Sequence, residues 1–353
     1  MLRPVAERMP APSASAATPR RTTSPSFADA GARRRYRIVL MALIVLAAVF
    51  ALGLLAWGNP MPVGTAGFWR IANLRATNLL VMVIVAVCQA VATVAFQTVT
   101  TNRIITPSIM GFESLYRAVQ TSSVYLFGVA GLVALQGLWQ FGIQVAIMVA
   151  LAMLLYGWLL TGRYANLQIM LLIGIIVGGG LGAIATFMQR LLTPSEFDVL
   201  AARLFGSISN ADASCLPLAI PLCAAASMLL WMRARRLNVM ALGAGTAQSL
   251  GLNHRRELMI VLLLVAVLMA TSTALVGPMT FLGFLVATLA YQFAGTDDHR
   301  LVLPVAVLTA FTIIAGAYFV MRNIFYAQGV VSIIIELVGG VVFLIVILRK
   351  GRL

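Results

Sequence analysis

The stretch 237-LNVMALGAGTAQSLGL-252 sits between two long apolar runs, and the reading of the whole chain turns on it. Arg233, Arg235 and Arg236 flank it on one side; His254, Arg255 and Arg256 flank it on the other. Arginines at this density beside apolar runs mark the cytoplasmic face of a membrane. Between them the stretch is uncharged and rich in small residues. It amounts to roughly two helical turns on either side of glycine, well short of the ~20 residues that a crossing needs. A short helix held at the inner surface of a helix bundle is a place for another protein to push. The expectation is half of a transporter, powered from outside itself.

Composition supports that class. Of 353 residues, 61% are hydrophobic and 10% charged, with mean hydropathy +0.98. Soluble domains carry about 25% charged residues, so this is the composition of a polytopic membrane protein. The net charge of +15 would suit nucleic acid. The arginines, however, lie in the N-terminal stretch and in short connections between apolar runs, which is a topology signal and not a phosphate-binding face. Lys350 is the only lysine, and it stands near the C-terminus. A phosphate-binding loop needs a lysine directly after its last glycine, at the start of a helix. The chain therefore has no such route to ATP hydrolysis. Cys88, Cys215 and Cys223 fall in or beside apolar runs without metal-ligand spacing and read as small buried hydrophobes. Neither a two-histidine metal motif nor a nucleophile elbow is present. No catalytic residue, cofactor or metal is expected.

Residues 1–35 are rich in Ala, Pro, Ser, Thr and Arg and read as a disordered basic tail. Arg33–Arg37 read as an orientation anchor, and no small-residue cleavage site closes the apolar run that follows. Residues 36–353 form the membrane domain, with the coupling stretch at 237–252. Runs long enough to cross a bilayer are 38–57, 78–97, 111–133, 140–160, 167–188, 216–232, 258–275, 279–293, 303–321 and 331–348. The third and eighth are short or interrupted by polar residues. Ten crossings put both termini on one side. With the N-terminus inside, only Arg70, Arg75, Arg190, Arg203 and Arg322 fall outside, against twenty basic residues within. An odd number would put the basic C-terminus outside, so an all-α protein of about ten membrane helices with cytoplasmic ends is expected.

Within the runs a few residues stand out. Gly174, Gly178 and Gly182 follow one helix face at four-residue spacing, with Gly179 and Gly180 beside them. Such a face lets another backbone approach, either lining a passage or a seam between subunits or packing within one subunit. Glu336 lies inside the last run, where a carboxylate is costly and becomes a functional candidate, for contact with cargo or a proton or for structural pairing with Arg322 or a neighbouring hydroxyl. Gly277-Pro278 signals a turn ahead of the short eighth run, and 296-TDDHR-300 reads as a solvated turn. The outward arginines suit an acidic partner.

Taken in order, these pieces resemble the integral-membrane permeases of bacterial ABC importers for iron–siderophore complexes, heme and vitamin B12. The resemblance covers about residues 60–350. It rests on 237–252, then on Gly277, Pro278, Phe281 and Gly283, then on Asp298, His299, Arg300 and Pro304. Gln97, Asn102, Pro107 and Gly111 resemble the family's connection between its second and third spans. Ala287-Thr288 replaces the usual Pro-His, Asn102-Arg103 the usual Asn-Pro, and Ala327–Val331 the usual Pro-x-Gly. The stretch 97-QTVTTNRIITPSIM-110 and Glu336 place the pattern nearest the ferric-siderophore branch.

The resemblance implies a multi-pass protein of the bacterial cytoplasmic membrane, in an assembly of two permeases and two ATPases. An extracytoplasmic siderophore-binding protein feeds it, and a heterodimer with a sister permease is favoured over a homodimer. ATPase contact is implied for Met240, Ala241, Leu242, Gly243, Ala244, Ala247, Leu250, Gly251 and Leu252. The passage maps to Gly174, Gly178, Gly182 and Glu336, and binding-protein docking to Arg70, Arg75 and Arg322. Membrane lipid is a partner and nucleic acid is not. A charged residue at Ala244 or Ala247 is expected to abolish uptake while leaving membrane insertion intact. The competing readings are an ion-gradient transporter coupled through Glu336 and, more distantly, a membrane-embedded enzyme.

Overall fold

The computed structural model describes residues 27, 30–58, 61–62, 64–134, 137–161, 167–209, 211–324 and 331–350. Among them no strand occurs. In chain order the helices are α1 (Ala30–Ala56), α2 (Ala66–Val99), α3 (Glu113–Ala134), α4 (Leu138–Thr161), α5 (Leu167–Gln189), α6 (Pro194–Leu204) and α7 (Leu216–Met232). They continue as α8 (Ala234–Met240), α9 (Ala244–Ser249), α10 (His254–Val276), α11 (Leu282–Ala294), α12 (His299–Asn323) and α13 (Val331–Lys350). Each of the ten apolar runs coincides with a helix. Seven of these are long and apolar enough to cross a membrane: α1, α2, α4, α5, α7, α10 and α12. Helix α1 reaches back to Ala30, into the stretch read as tail, while most of that tail lies outside the described residues.

Three helices form the centre. The apolar windows of α2, α10 and α12 are 78, 72 and 61% buried, against 17–28% for α1, α4, α5 and α7. The reason is side-chain size. Ala86, Ala90, Ala92 and Ala95 of α2 are fully enclosed, as are Ala266 and Ala270 of α10 and Ala306, Ala310 and Ala315 of α12. Small residues let backbones approach where lipid gives no hydrophobic drive for association. Gln89 Nε2 donates to Ser272 Oγ at 3.2 Å, tying α2 to α10 inside the core.

Two helix breaks among the described residues bear on the site. A π-helical turn at Ser108–Phe112, with Gly111 at φ 103°, precedes α3. Helix α10 stops at Gly277, φ 87°, and α11 begins only at Leu282. At 13 residues α11 is about 20 Å long, too short for a ~30 Å hydrocarbon layer. The broken backbone is enclosed by protein, as it must be away from water. Ser207 N–H donates to Val276 O at 2.8 Å, and Gly277 N–H to Thr273 O at 2.8 Å.

One end of the bundle gathers the basic connections. Tyr36 OH donates to Leu301 O at 3.2 Å, Arg103 pairs with Asp297 at 2.6 Å, and Asn238 bonds Asp298 at 2.9 Å. This basic end carries α8 and α9.

Candidate functional site

The stretch 237–252, expected as helical turns on either side of glycine, holds the end of α8 and all of α9, which together form a bracket. Gly243 (φ 93°) turns the chain between α8 and α9, and Gly251 (φ 83°) turns it again before α10. Both angles lie where side chains with a Cβ are strained, so glycine is required. The two turns divide the stretch by role. Leu237, Met240 and Ala247 are fully buried and anchor the bracket. Leu242 and Leu250 are each 62% exposed and face away from the bundle. Ala241, Ala244 and Gly251 are exposed beside them, and Gly243 and Leu252 are half-buried. A charge at Ala247 therefore reports on folding of the bracket, whereas a charge at Ala244 lies on its free face.

Two tethers hold the bracket. The buried carboxylate of Glu257, on the first turn of α10, takes Arg233 at 2.5 Å on one oxygen and Arg236 on the other. The second tether is the stretch read as a solvated turn. Asp297 is indeed exposed, pairing with Arg103, whose guanidinium lies 4.3 Å from the centre of the Tyr291 ring. His299, by contrast, is 1% exposed and bonded to Asn238 of α8. A buried histidine must find partners for its ring nitrogens, which no local pattern of Thr, Asp and Arg reveals.

On α5 the glycine spacing serves contacts within the chain. A Cβ on Gly178 would stand 2.9 Å from the Gly111 Cα, and one on Gly174 3.2 Å from Met110 O. Gly182 faces Ser114 at 3.8 Å. The seam therefore packs α5 on the π-helical turn before α3. Gly179 and Gly180, on the next face, meet nothing within 4 Å. The open side of α5 is theirs, shared with Ile175, Ile176 and Ile184.

Glu336 lies near a second carboxylate, Glu113, that sequence reasoning missed. Thr280 Oγ1, in the break between α10 and α11, donates to Glu113 Oε2 at 2.6 Å. Glu336 reaches the same threonine and lies within electrostatic range of Glu113. Arg117, one turn along α3, acts on both carboxylates. Of the two structural partners expected for Glu336, the one found is therefore a neighbouring hydroxyl, Thr280, and not Arg322. The available signal was Glu113 itself, a second acid in the least regular apolar run.

The outward arginines differ in kind. Arg70 is exposed, and Arg322 is half-buried in the last turn of α12. Arg75 is 5% exposed: Nη1 donates to Leu55 O and Trp57 O at 3.0 and 2.9 Å, and Nη2 to Gly58 O at 2.9 Å. It closes the C-terminal end of α1, where carbonyls lack helical partners and the dipole favours a cation. Arg75 is therefore committed to the fold and not free to dock a partner. Arg75→Ala is expected to cost about 2–3 kcal/mol, read as a lower unfolding temperature in detergent, while Arg70→Ala leaves that temperature unchanged.

The profile of the FecCD transport family matches residues 38–349. The chain is 50% identical over 320 residues to the petrobactin import system permease protein FatC of Bacillus anthracis, covering 91% of this chain and 90% of that one. It is 29% identical over 182 residues to the petrobactin import system permease protein FatD of the same organism, covering 51 and 53%. In fold it is similar to a solved chain of a metal-chelate type ABC transporter in an inward-facing conformation, with TM-score 0.75 and 21% identity over 89% of this chain and 99% of that one. Matched along nearly its whole membrane domain, this chain belongs to the FecCD transport family.

Proposed function

We propose that the chain is one permease subunit of an ABC importer carrying a ferric siderophore of the petrobactin class across the bacterial cytoplasmic membrane. The observation that carries this reading is the 50% identity to FatC, sustained over nine-tenths of both chains. Cargo specificity in a wide passage is spread over many weak contacts, so likeness over the whole membrane domain supports it better than any single residue. The ion-gradient alternative finds no support in the family, and the chain itself offers no nucleotide-hydrolysing motif.

Ten crossings with both termini inside make the basic end cytoplasmic, in keeping with the arginine count. The bracket then meets a separate ATPase, through Leu242 and Leu250 with Ala241, Ala244 and Gly251 around them. An extracytoplasmic binding protein delivers the chelate, with Arg70 and Arg322 as docking charges. The passage runs along the open face of α5 and the Glu336 helix α13, whose Leu337, Val341 and Leu344 are exposed. A sister permease completes it; the existence of both FatC and FatD in one petrobactin system favours a heterodimer.

Transport follows from differential binding. When ATP closes the ATPase dimer, it must bind one permease state more tightly than the other, by about 5.5 kcal/mol for a nearly complete switch. The test is uptake of radiolabelled iron by cells lacking their own petrobactin permeases and supplied with this chain, its sister permease, ATPase and binding protein. Ferric petrobactin should enter at least tenfold faster than a hydroxamate chelate, about 1.4 kcal/mol of discrimination. Equal rates would remove the cargo assignment, and uptake without the ATPase would remove the importer class.

A further inference from the structure

Between the bracket and the central helices runs a chain of buried and part-buried hydrogen bonds that the mechanism above does not use. Asn238, on α8, is fixed in orientation. Its Oδ1 accepts from the His299 backbone N–H at 3.0 Å, and its Nδ2 donates to Asp298 Oδ1 at 2.9 Å. His299 Nδ1 stands 2.5 Å from the same Oδ1, an acceptor, and must therefore carry a hydrogen. On the far side of the ring, Nε2 lies 2.5 Å from Thr98 Oγ1, in the last turn of α2. His299 and Thr98 are 1 and 5% exposed. One imidazole thus spans α8, the start of α12 and the end of α2. The last two belong to the three most buried helices of the fold.

Resting on the assignment of the bracket to ATPase contact, we infer that Asn238, His299 and Thr98 form the transmission joint of this subunit. They pass displacement of the bracket to α12 and α2. They are positioning residues, touching neither nucleotide nor cargo. Three features carry the inference. Asn238 stands four residues before Leu242, the exposed leucine of the bracket, so a push there has a short rigid path to the joint. The Glu257 clamp ties the same bracket to α10 alone, so α2 and α12 need their own connection. A cavity of about 550 Å³ lies beside the joint, bordered by Thr98, Asn238, Leu242, Tyr291 and His299. This gives the imidazole and α8 space to change partners, which a close-packed core would deny.

The test compares ATP hydrolysis with transport in proteoliposomes holding the full assembly and ferric petrobactin. Asn238→Ala and His299→Ala should keep the ATPase bound through purification and hydrolyse ATP within about twofold of the parent. Transport should fall about tenfold, within the usual range of coupling between sites, so that more ATP is spent per cargo. Thr98→Ser, which keeps the hydroxyl, should transport normally, and Thr98→Val should uncouple. If Asn238→Ala and Thr98→Val keep the parent ATP-to-cargo ratio, or lose ATPase binding and thermal stability together with transport, the joint is wrong. Leu242→Asp separates the two ideas. ATPase lost by Leu242→Asp with Asn238→Ala fully coupled overturns the joint alone, whereas ATPase retained by Leu242→Asp overturns the bracket assignment on which it rests.

Discussion

Leu242→Asp combined with Leu250→Asp is expected to abolish uptake while the protein still inserts and folds. Both leucines lie on the free side of the bracket, each 62% exposed, so replacing them removes little packing inside the bundle. Fully burying a leucine contributes about 1.5–3 kcal/mol. Placing a carboxylate in the same contact adds the cost of stripping its water. The pair of substitutions therefore removes about as much as the ~5.5 kcal/mol that the ATPase must supply to switch the passage. Each single substitution should weaken co-purification of the ATPase by roughly 10- to 100-fold, and the double variant should bring down none. Thermal unfolding in detergent should match the parent. Ala247→Asp is the contrasting case: its side chain has no exposed surface, and the variant should lose stability and ATPase binding together. A double variant that still captured ATPase would show that the contact lies elsewhere.

Much of this was legible in the sequence, for reasons that can be traced residue by residue. A bilayer demands long apolar runs with internally satisfied backbones, so each of the ten runs became a helix near its expected position. The third run was hard to delimit because α3 carries Glu113, Arg117 and Gln120 and is bent at Gly128, φ 64°. The bracket was visible through its flanking arginines and its glycines. What its glycines do was not, because a positive φ is a property of the folded chain. A four-residue glycine spacing announces a close approach but not its partner, and Gly178 turned out to face Gly111 of the same chain.

The site residues that sequence reasoning misjudged share one cause. Arg75 looked like one of five outward arginines; its fate was decided by carbonyls at Leu55, Trp57 and Gly58, which reach it only once α1 and α2 pack. His299 sat in a polar pentapeptide that read as solvated, yet its partners come from Thr98 and Asn238. Glu113 drew no notice because Glu336 lies more than two hundred positions away, and the two meet only around Thr280. Periodicity and composition report on a residue's own element. These residues take their roles from contacts between elements, which no single stretch encodes.

The second large effect is expected at Gly206, a residue with no pattern around it to draw notice. Three segments meet there: the chain leaving α6, the break between α10 and α11, and the first turn of α13. Ser207 N–H donates to Val276 O at 2.8 Å, and Ser332 N–H reaches Gly206 O at 3.4 Å. A Cβ at Gly206 would stand 2.4 Å from Pro278 O, 3.1 Å from Ser332 Cβ and 3.3 Å from Met279 Cγ. The first of these neighbours is backbone and cannot swing aside. It belongs to Gly277-Pro278, where Gly277 already needs φ 87° and would bring its own Cβ within 3.0 Å of Phe205 O. Relief at Gly206 therefore requires the break to shift, carrying Thr280 and the Glu113 contact with it. Gly206→Ala should cost about 1–3 kcal/mol, the usual range for an overpacked core. Gly206→Val adds two methyl groups among the same atoms and should leave little folded protein in the membrane. Yield and thermal unfolding in detergent read both effects. A Gly206→Val protein with parental stability and uptake would mean that these three segments do not meet as described, and that the Glu113–Thr280–Glu336 group has lost its support.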